Sequence, residues 1–392
     1  MKRIHLIIIF VICISVKPMT GQSVHVVLKQ IEQNNKTLQV AAKSDEATKI
    51  GIDAENSLTA PNVTYSSFYS KDVKGQAGSE MVVTQGFDFP TLYAKRKDAG
   101  RERKAVIDFH KEVLRRNTLL EAQKLCFDII QLEKEKEFLT TRQQNADELL
   151  LLFEERLKAG DVSIIEVNKI KMERMSIQTA LLENNTAIRT TSQSLTAMNG
   201  NHPLDFHDME YPVLLASYDF ETMRNEAIQY NAEILAATSN QKANESILRV
   251  MNHNWLPKFE LGYRRNTTGD VKQHGFLVGG SIPIFSNRQQ VKIAKANAVS
   301  ANLLVEETRL KIYNSIETDI NEAKYTLNAM AIYDINLMKE TLLLLTESVK
   351  SGILSITDYY TEVDEIYRNL GAYTKVENRF QKAIASLRKW SL

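Results

Sequence analysis

The sequence predicts a mainly α-helical chain with a β-barrel portion, arranged as a twofold internal repeat of long coiled-coil helices and short strands. Three observations predict it. Breakers are scarce: 15 Gly and 7 Pro in 392 residues, below the usual ~7% and ~5%. The few prolines recur in step with other landmarks. Apolar residues alternate at every second position in four short segments and at every seventh in two long ones. Scarce breakers exclude a loop-rich enzyme, a low-complexity chain and a turn-punctuated β-sandwich. A charged fraction of 25% excludes a polytopic helical membrane protein.

The first element is a leader. Lys2 and Arg3 precede an apolar run from Leu6 to Val16, closed by Lys17 and Pro18, with Thr20, Gly21 and Ser23 after it. The run is too short for a bilayer, which needs about 20 residues, and reads as a signal peptide over 1–21. The competing reading is a buried N-terminal helix or anchor. Cys13 lacks a preceding lipobox, so lipidation is not expected. Three of the 49 basic residues fall in the leader, leaving 46 against 48 acidic ones. With no basic excess, nucleic acid is not an expected partner. Only Cys126 remains in the exported chain, which excludes an intrachain disulfide. It falls in a heptad region, where a small buried apolar side chain is the ordinary role.

The repeat shows in paired landmarks. Asn35 and Asn231 are 196 apart, as are Pro61 and Pro257. Pro90 and Pro283 are 193 apart; Gly160 and Gly352, and Ser163 and Ser355, are 192 apart. The first copy is expected over 22–199, an insert over 200–216, and the second copy over 217–392.

Each copy opens with a helix, 24–57 and 217–252. A proline follows, then two strands: 62–70 and 80–89 in the first copy, 258–265 and 274–285 in the second. Val63, Tyr65 and Tyr69 share one face, as do Met81, Val83, Phe87 and Phe89; Phe259, Leu261 and Tyr263 alternate with polar residues and Gly. Such strands are long enough to cross an outer membrane when tilted; the competing reading is two soluble hairpins packed on a helical domain. Long helices come next, 91–157 and 287–349. Leu125, Leu132, Leu139, Ala146 and Phe153 form a seven-residue stripe, and Ile316, Ala323, Met330, Leu337 and Leu344 form the other. Tip turns are expected over 158–162 and 350–355, with return helices over 163–198 and 356–390.

The lengths close. The outgoing arm of 67 residues spans about 100 Å, and two pieces of 36 residues return the chain by the same distance with the insert halfway. Both termini then belong at mid-height. Four strands cannot close a barrel, and an open edge in lipid leaves backbone groups unpaired. Three chains supply twelve transmembrane strands; two would give eight, a barrel with a filled interior.

Here the sequence resembles the TolC-type outer membrane efflux protein family, over essentially the whole mature chain. The resemblance rests on the twofold repeat, on Gln85-Gly86-Phe87-Asp88-Phe89-Pro90 leading into the long helix, and on Gly279-Gly280-Ser281-Ile282-Pro283-Ile284-Phe285 in the second copy. It rests also on the two turns, Arg156 to Ser163 and Ser348 to Ser355. It implies a homotrimer in outer membrane lipid with a 12-stranded pore, a periplasmic α-barrel and an equatorial region at the insert. It implies a periplasmic adaptor docked at the tip, an inner-membrane pump beyond it, and passive conduction through the lumen. It implies that the closed tip opens by untwisting of the coiled coils. The rival is a periplasmic coiled-coil adaptor or scaffold, which would carry one helical hairpin without the duplication. A lipid-related exporter on the same fold is not separable by sequence.

The resemblance also names site residues. Adaptor-docking candidates are Leu157, Ala159, Gly160, Val162 and Ser163 at one tip, and Ser351, Gly352, Leu354 and Ser355 at the other; plain helix caps are the compatible alternative. Family gate aspartates fall six and nine residues after the second turn glycine, on Asp358, a match, and Thr361, a departure; Glu166 is the counterpart of Asp358 in copy one. Asp358 can equally be an acid stabilising a helix N-terminus. A Tyr–Arg latch of some members falls on Val349 and Leu354, which cannot make it. His202 and His207 in the insert are read as polar loop residues, and the methionines at 172, 175, 330 and 338 as packing. No cofactor, metal or catalysis is expected, because no catalytic constellation or phosphate-cradling loop occurs.

Overall fold

The computed structural model describes residues 23–71, 74–212, 218–282 and 287–392. The leader 1–21, Pro283-Ile284-Phe285 and the expected helix start at 217 lie outside the described residues.

Copy one begins with α1 (Val24–Asn34) and α2 (Lys36–Ala54). The single helix expected over 24–57 is therefore broken at Asn35, whose extended backbone (φ −61°, ψ 120°) ends α1 while its side chain accepts the Leu38 N–H at 3.0 Å. Copy two repeats the device in α5 (Phe220–Gln229) and α6 (Ala232–His253). Asn231 Oδ1 accepts the N–H groups of Glu233 and Ile234 at 2.9 and 3.1 Å, so the helix expected over 217–252 is likewise two. The recurring asparagine is an N-cap, which satisfies donors that a helix start leaves free.

Four antiparallel strands follow in the sheet order β1-β2-β3-β4. They are β1 (Asn62–Tyr69), β2 (Gln76–Phe87), β3 (Lys258–Thr268) and β4 (Val271–Ser281). β2 starts four residues before the expected 80, and the β3–β4 ladder runs through Thr268 and Val271 to a turn at Gly269 and Asp270. The extensions are polar, and backbone pairing needs no alternation of side chains. Gly269 takes φ +57°, the left-handed backbone that lets so short a turn close.

The long helix α3 (Pro90–Ala159) is continuous for 70 residues, about 105 Å. Pro90 starts it, where a missing N–H costs nothing. α4 (Ile164–Met198) returns along it. Its counterpart is not continuous: the helix expected over 287–349 divides into α7 (Asn287–Met330) and α8 (Ile335–Lys350), with Asp334 accepting the Leu337 N–H at 2.9 Å. The break shifts the helical phase and ends the stripe. Ile316 and Ala323 are buried, Met330 is half-buried, and Leu337 and Leu344 are 59% and 69% exposed. α9 (Ile356–Leu387) closes the chain, followed by a 3-10 turn over Lys389–Ser391.

The core is a row of clusters along the helices. At mid-height Val27 and Ile31 of α1 pack with Cys126, Phe127 and Ile130 of α3, with Leu195, and with Phe206 of the insert. Burial pushes the Cys126 thiol up to about 12. The C-terminal residue lies there too: Arg115 donates to the Leu392 carbonyl at 2.8 Å and pairs with Glu32 at 2.5 Å. Both ends of the described chain thus meet beside the insert.

Candidate functional site

The sheet has two unlike faces, and strand register makes them so. Val63 pairs with Val83 and Val83 with Tyr263; Tyr263 pairs with Phe276, and Leu261 with Val278. All these side chains share one face, joined by Tyr65, Met81 and Phe259. They are not core: Phe276 is 92% exposed, Val278 79% and Tyr65 63%. The other face carries Thr64, Ser66, Glu80, Thr84, Arg264 and Asn266, with a Glu80–Arg264 ion pair across β2 and β3. Val82 and Leu277 are apolar exceptions in its middle. β1 and β4 each pair on one side only within the chain, leaving two open edges.

The two tips lie side by side at the opposite end of α3. Gly160 (φ +81°) and Gly352 (φ +78°) hold the left-handed residue that ends each helix. At the first tip the Asp161 N–H bonds the Arg156 carbonyl at 2.9 Å; at the second the Ile353 N–H bonds that of Ser348 at 3.0 Å. Both following helices start with a serine N-cap, and the first adds the reciprocal capping box. Ser163 accepts the Glu166 N–H at 3.3 Å while Glu166 accepts the Ser163 N–H at 2.7 Å. Ser355 accepts the Asp358 N–H at 3.1 Å and its hydroxyl donates to the Asp358 carboxylate at 2.7 Å. Thr361 donates back to the Thr357 carbonyl at 2.9 Å. Asp358 and Thr361 are exposed, and each has a local helical partner.

Of the docking candidates, Ala159, Gly160, Ser163, Ser351, Gly352 and Ser355 are exposed. Leu157, Val162 and Leu354 are half-buried against a cluster of Phe153, Val167, Ile356 and Tyr360. Val349 is fully buried in it, so at the two latch positions the chain places apolar packing. Sequence reading missed three exposed apolar residues at the tips: Ile164 (54%), Ile165 (76%) and Ile353 (83%). Their signal was an isoleucine next to each cap or turn.

It also missed the ties between the two hairpins. Arg156 of α3 donates to the Lys350 carbonyl at 2.5 Å, and Lys350 pairs with Glu148 at 2.9 Å. Further up, Arg142 of α3 pairs with Glu173 of α4 and Asp364 of α9, beneath the Tyr367 ring at 5.2 Å. In the insert, His207 lies 3.3 Å from Asp205. Among the described residues no group of three His, Cys, Asp or Glu could hold a metal. Among them no helix is long and apolar enough to cross a membrane.

No family model and no curated protein sequence matches the chain. Solved structures do. A membrane protein from Pseudomonas aeruginosa matches with a TM-score of 0.76 at 15% identity, over 94% of this chain and 90% of that one. The outer membrane protein VceC from Vibrio cholerae gives 0.74 at 15% identity, over 94% and 95%. The Campylobacter jejuni CmeC outer membrane channel gives 0.67 at 15% identity, over 94% and 85%. The fold is therefore that of the TolC-type outer membrane channels: mostly helical, with one small antiparallel sheet.

Proposed function

We propose that this chain is the outer membrane channel of a tripartite export system, a homotrimer that passively conducts substrate from an inner-membrane pump and periplasmic adaptor to the cell exterior. One observation carries the reading. A sheet with an exposed apolar face, a polar face and two open edges suits only a closed barrel in lipid. On this reading the Tyr65–Phe276 face meets lipid and the Glu80–Arg264 face meets the lumen. Three chains close twelve strands, and the helices continue the duct about 100 Å into the periplasm. The strands cross the outer membrane, and residues 1–21 act as the cleaved export signal.

The tips dock the adaptor. Leu157, Val162 and Leu354 set the shape of the two turns, Gly160 and Gly352 allow them, and Ile164, Ile165 and Ile353 offer apolar contact. Asp358 lines the narrow end, where three copies form an acidic ring with Glu166 and Thr361 nearby. The cap and the ring are compatible, because the carboxylate stays solvent-facing.

The test is extraction and conductance. The protein is expected to leave membranes only in detergent, to run as a heat-modifiable trimer, and to form channels in planar bilayers. Asp358→Ala is expected to reduce block by trivalent cations. A soluble periplasmic monomer would overturn the channel reading; unchanged block would remove Asp358 from the gate.

A further inference from the structure

The internal repeat preserves a charge pattern as well as breakers. Lys97, Arg101 and Lys104 lie on α3 at i, i+4 and i+7; Arg288, Lys292 and Lys295 lie on α7 at the same spacing, each 191 residues later. That spacing puts each triplet on one helix face. The α7 triplet spans the second to ninth residues of its helix, and the α3 triplet the eighth to fifteenth of its own. Of the six cations only Arg288 lies in a first helical turn, where it opposes the macrodipole with no acid to offset it.

The charges differ in how far they are satisfied. On α3, Lys104 pairs with Asp53 at 2.5 Å, and Arg101 lies 3.6 Å from Asp98. On α7 all three cations are exposed, and among the described residues none has an ion-pair partner. No acidic residue occurs between Asp270 and Glu306.

Asp88 and Lys258 continue the polar face of the sheet and line a cavity of about 590 Å³ with Arg96, Arg103 and Val250. Lys97, Arg101 and Lys104 line an adjoining groove with Asp53, Asp98 and Asp108, and Arg96 and Asn56 line both. Lys97, Arg101 and Lys104 lie about 120° around α3 from Arg96 and Arg103. The α3 triplet is thus offset in helical phase from the polar-side arginines, and the repeat gives the α7 triplet the same spacing.

We infer that these two triplets form a basic girdle directly below the apolar band, which binds the phosphodiester headgroups of anionic phospholipids in the leaflet facing the helices. The inference rests on the reading of the sheet as a membrane segment. Lys97 to Lys104 stand about 10–20 Å along α3 from Pro90. Long basic side chains reach from there into a headgroup layer, and surface attraction extends over a Debye length of about 8–10 Å.

The experiment compares wild type with Arg288→Gln/Lys292→Gln/Lys295→Gln, and with Lys97→Gln/Arg101→Gln, in phosphatidylcholine vesicles with and without about 30% phosphatidylglycerol. Co-purifying lipid is counted after detergent extraction, and single-channel conductance is recorded in parallel. Wild type is expected to enrich phosphatidylglycerol. The α7 variant is expected to lose roughly tenfold of that enrichment and the α3 variant less. Enrichment should fall as salt rises from about 0.05 to about 0.5 M, while conductance stays unchanged. Wild-type channels that form with no lipid preference, or an α7 variant as selective as wild type, would overturn the girdle alone. Failure of every form to insert would overturn the membrane reading together with the girdle.

Discussion

At the scale of single residues, two side chains on the helices repay attention for opposite reasons. Asp358 is exposed and already bonded to Ser355, so its charge is cheap. Asp319 of α7 is half-buried, and burial pushes its carboxyl from 3.8 to about 6, with Lys124 of α3 and Lys389 opposing the rise and Glu322 adding to it. A carboxyl raised in the folded state stabilises when protonated and loses that contribution as pH rises from about 4 to about 6. Asp319→Asn is therefore expected to raise the thermal midpoint of the detergent-solubilised protein at pH 8 and to leave it nearly unchanged at pH 4. An equal shift at both pH values would remove desolvation as the cause. Single residues were unevenly legible in the sequence. Gly160 and Gly352 were readable as helix ends because only a positive φ needs glycine there. Arg142 was not, because an arginine among many on a charged helix carries no mark of the acids it will meet from two other helices.

At the scale of elements, Arg142 ties the hairpin α3–α4 to α9. If the duct opens by relative movement of the hairpins, this tie and the Arg156–Lys350 contact resist it. Breaking a part-buried pair leaves its carboxylates uncompensated and costs about 3–5 kcal/mol when burial is complete, less here. Arg142→Ala is expected to raise single-channel conductance and to leave trimer yield unchanged; equal conductance with normal trimers would show that the tie is not part of closure. The elements themselves were largely legible, and the exceptions share one cause. Asn35, Asn231 and Asp334 break helices through side-chain caps, without Gly or Pro. A polar cap inside an otherwise helical pattern is hard to tell from an exposed helical position. The seven-residue stripe of copy two accordingly read straight through Asp334.

At the scale of the whole molecule, the repeat made the architecture readable: it fixed where strands, tips and termini fall along about 100 Å of helix. It left unread which strands of the two copies pair with each other, because that depends on the sheet order and register. The duplication also bears on assembly. Within one chain the seam between copies is the β2–β3 ladder, in which Thr84 faces Gly262. The repeat offsets do not fix the partner pair between protomers, because they carry Asn62–Thr84 to Lys258–Leu277 whereas Lys258 faces Ser281, four residues away. In the proposed trimer the strand order places β4 of one protomer beside β1 of the next, with the register between them open. Ser66→Cys combined in turn with Gln273→Cys, Leu277→Cys and Ser281→Cys is expected to give covalent trimers on oxidation at one of these registers, with no single variant doing so; monomers at every register would mean that β4 and β1 do not meet. On the proposed trimer, six hairpins would form a ring in which intramolecular and intermolecular seams alternate, a pseudo-sixfold symmetry made from threefold assembly and the internal repeat.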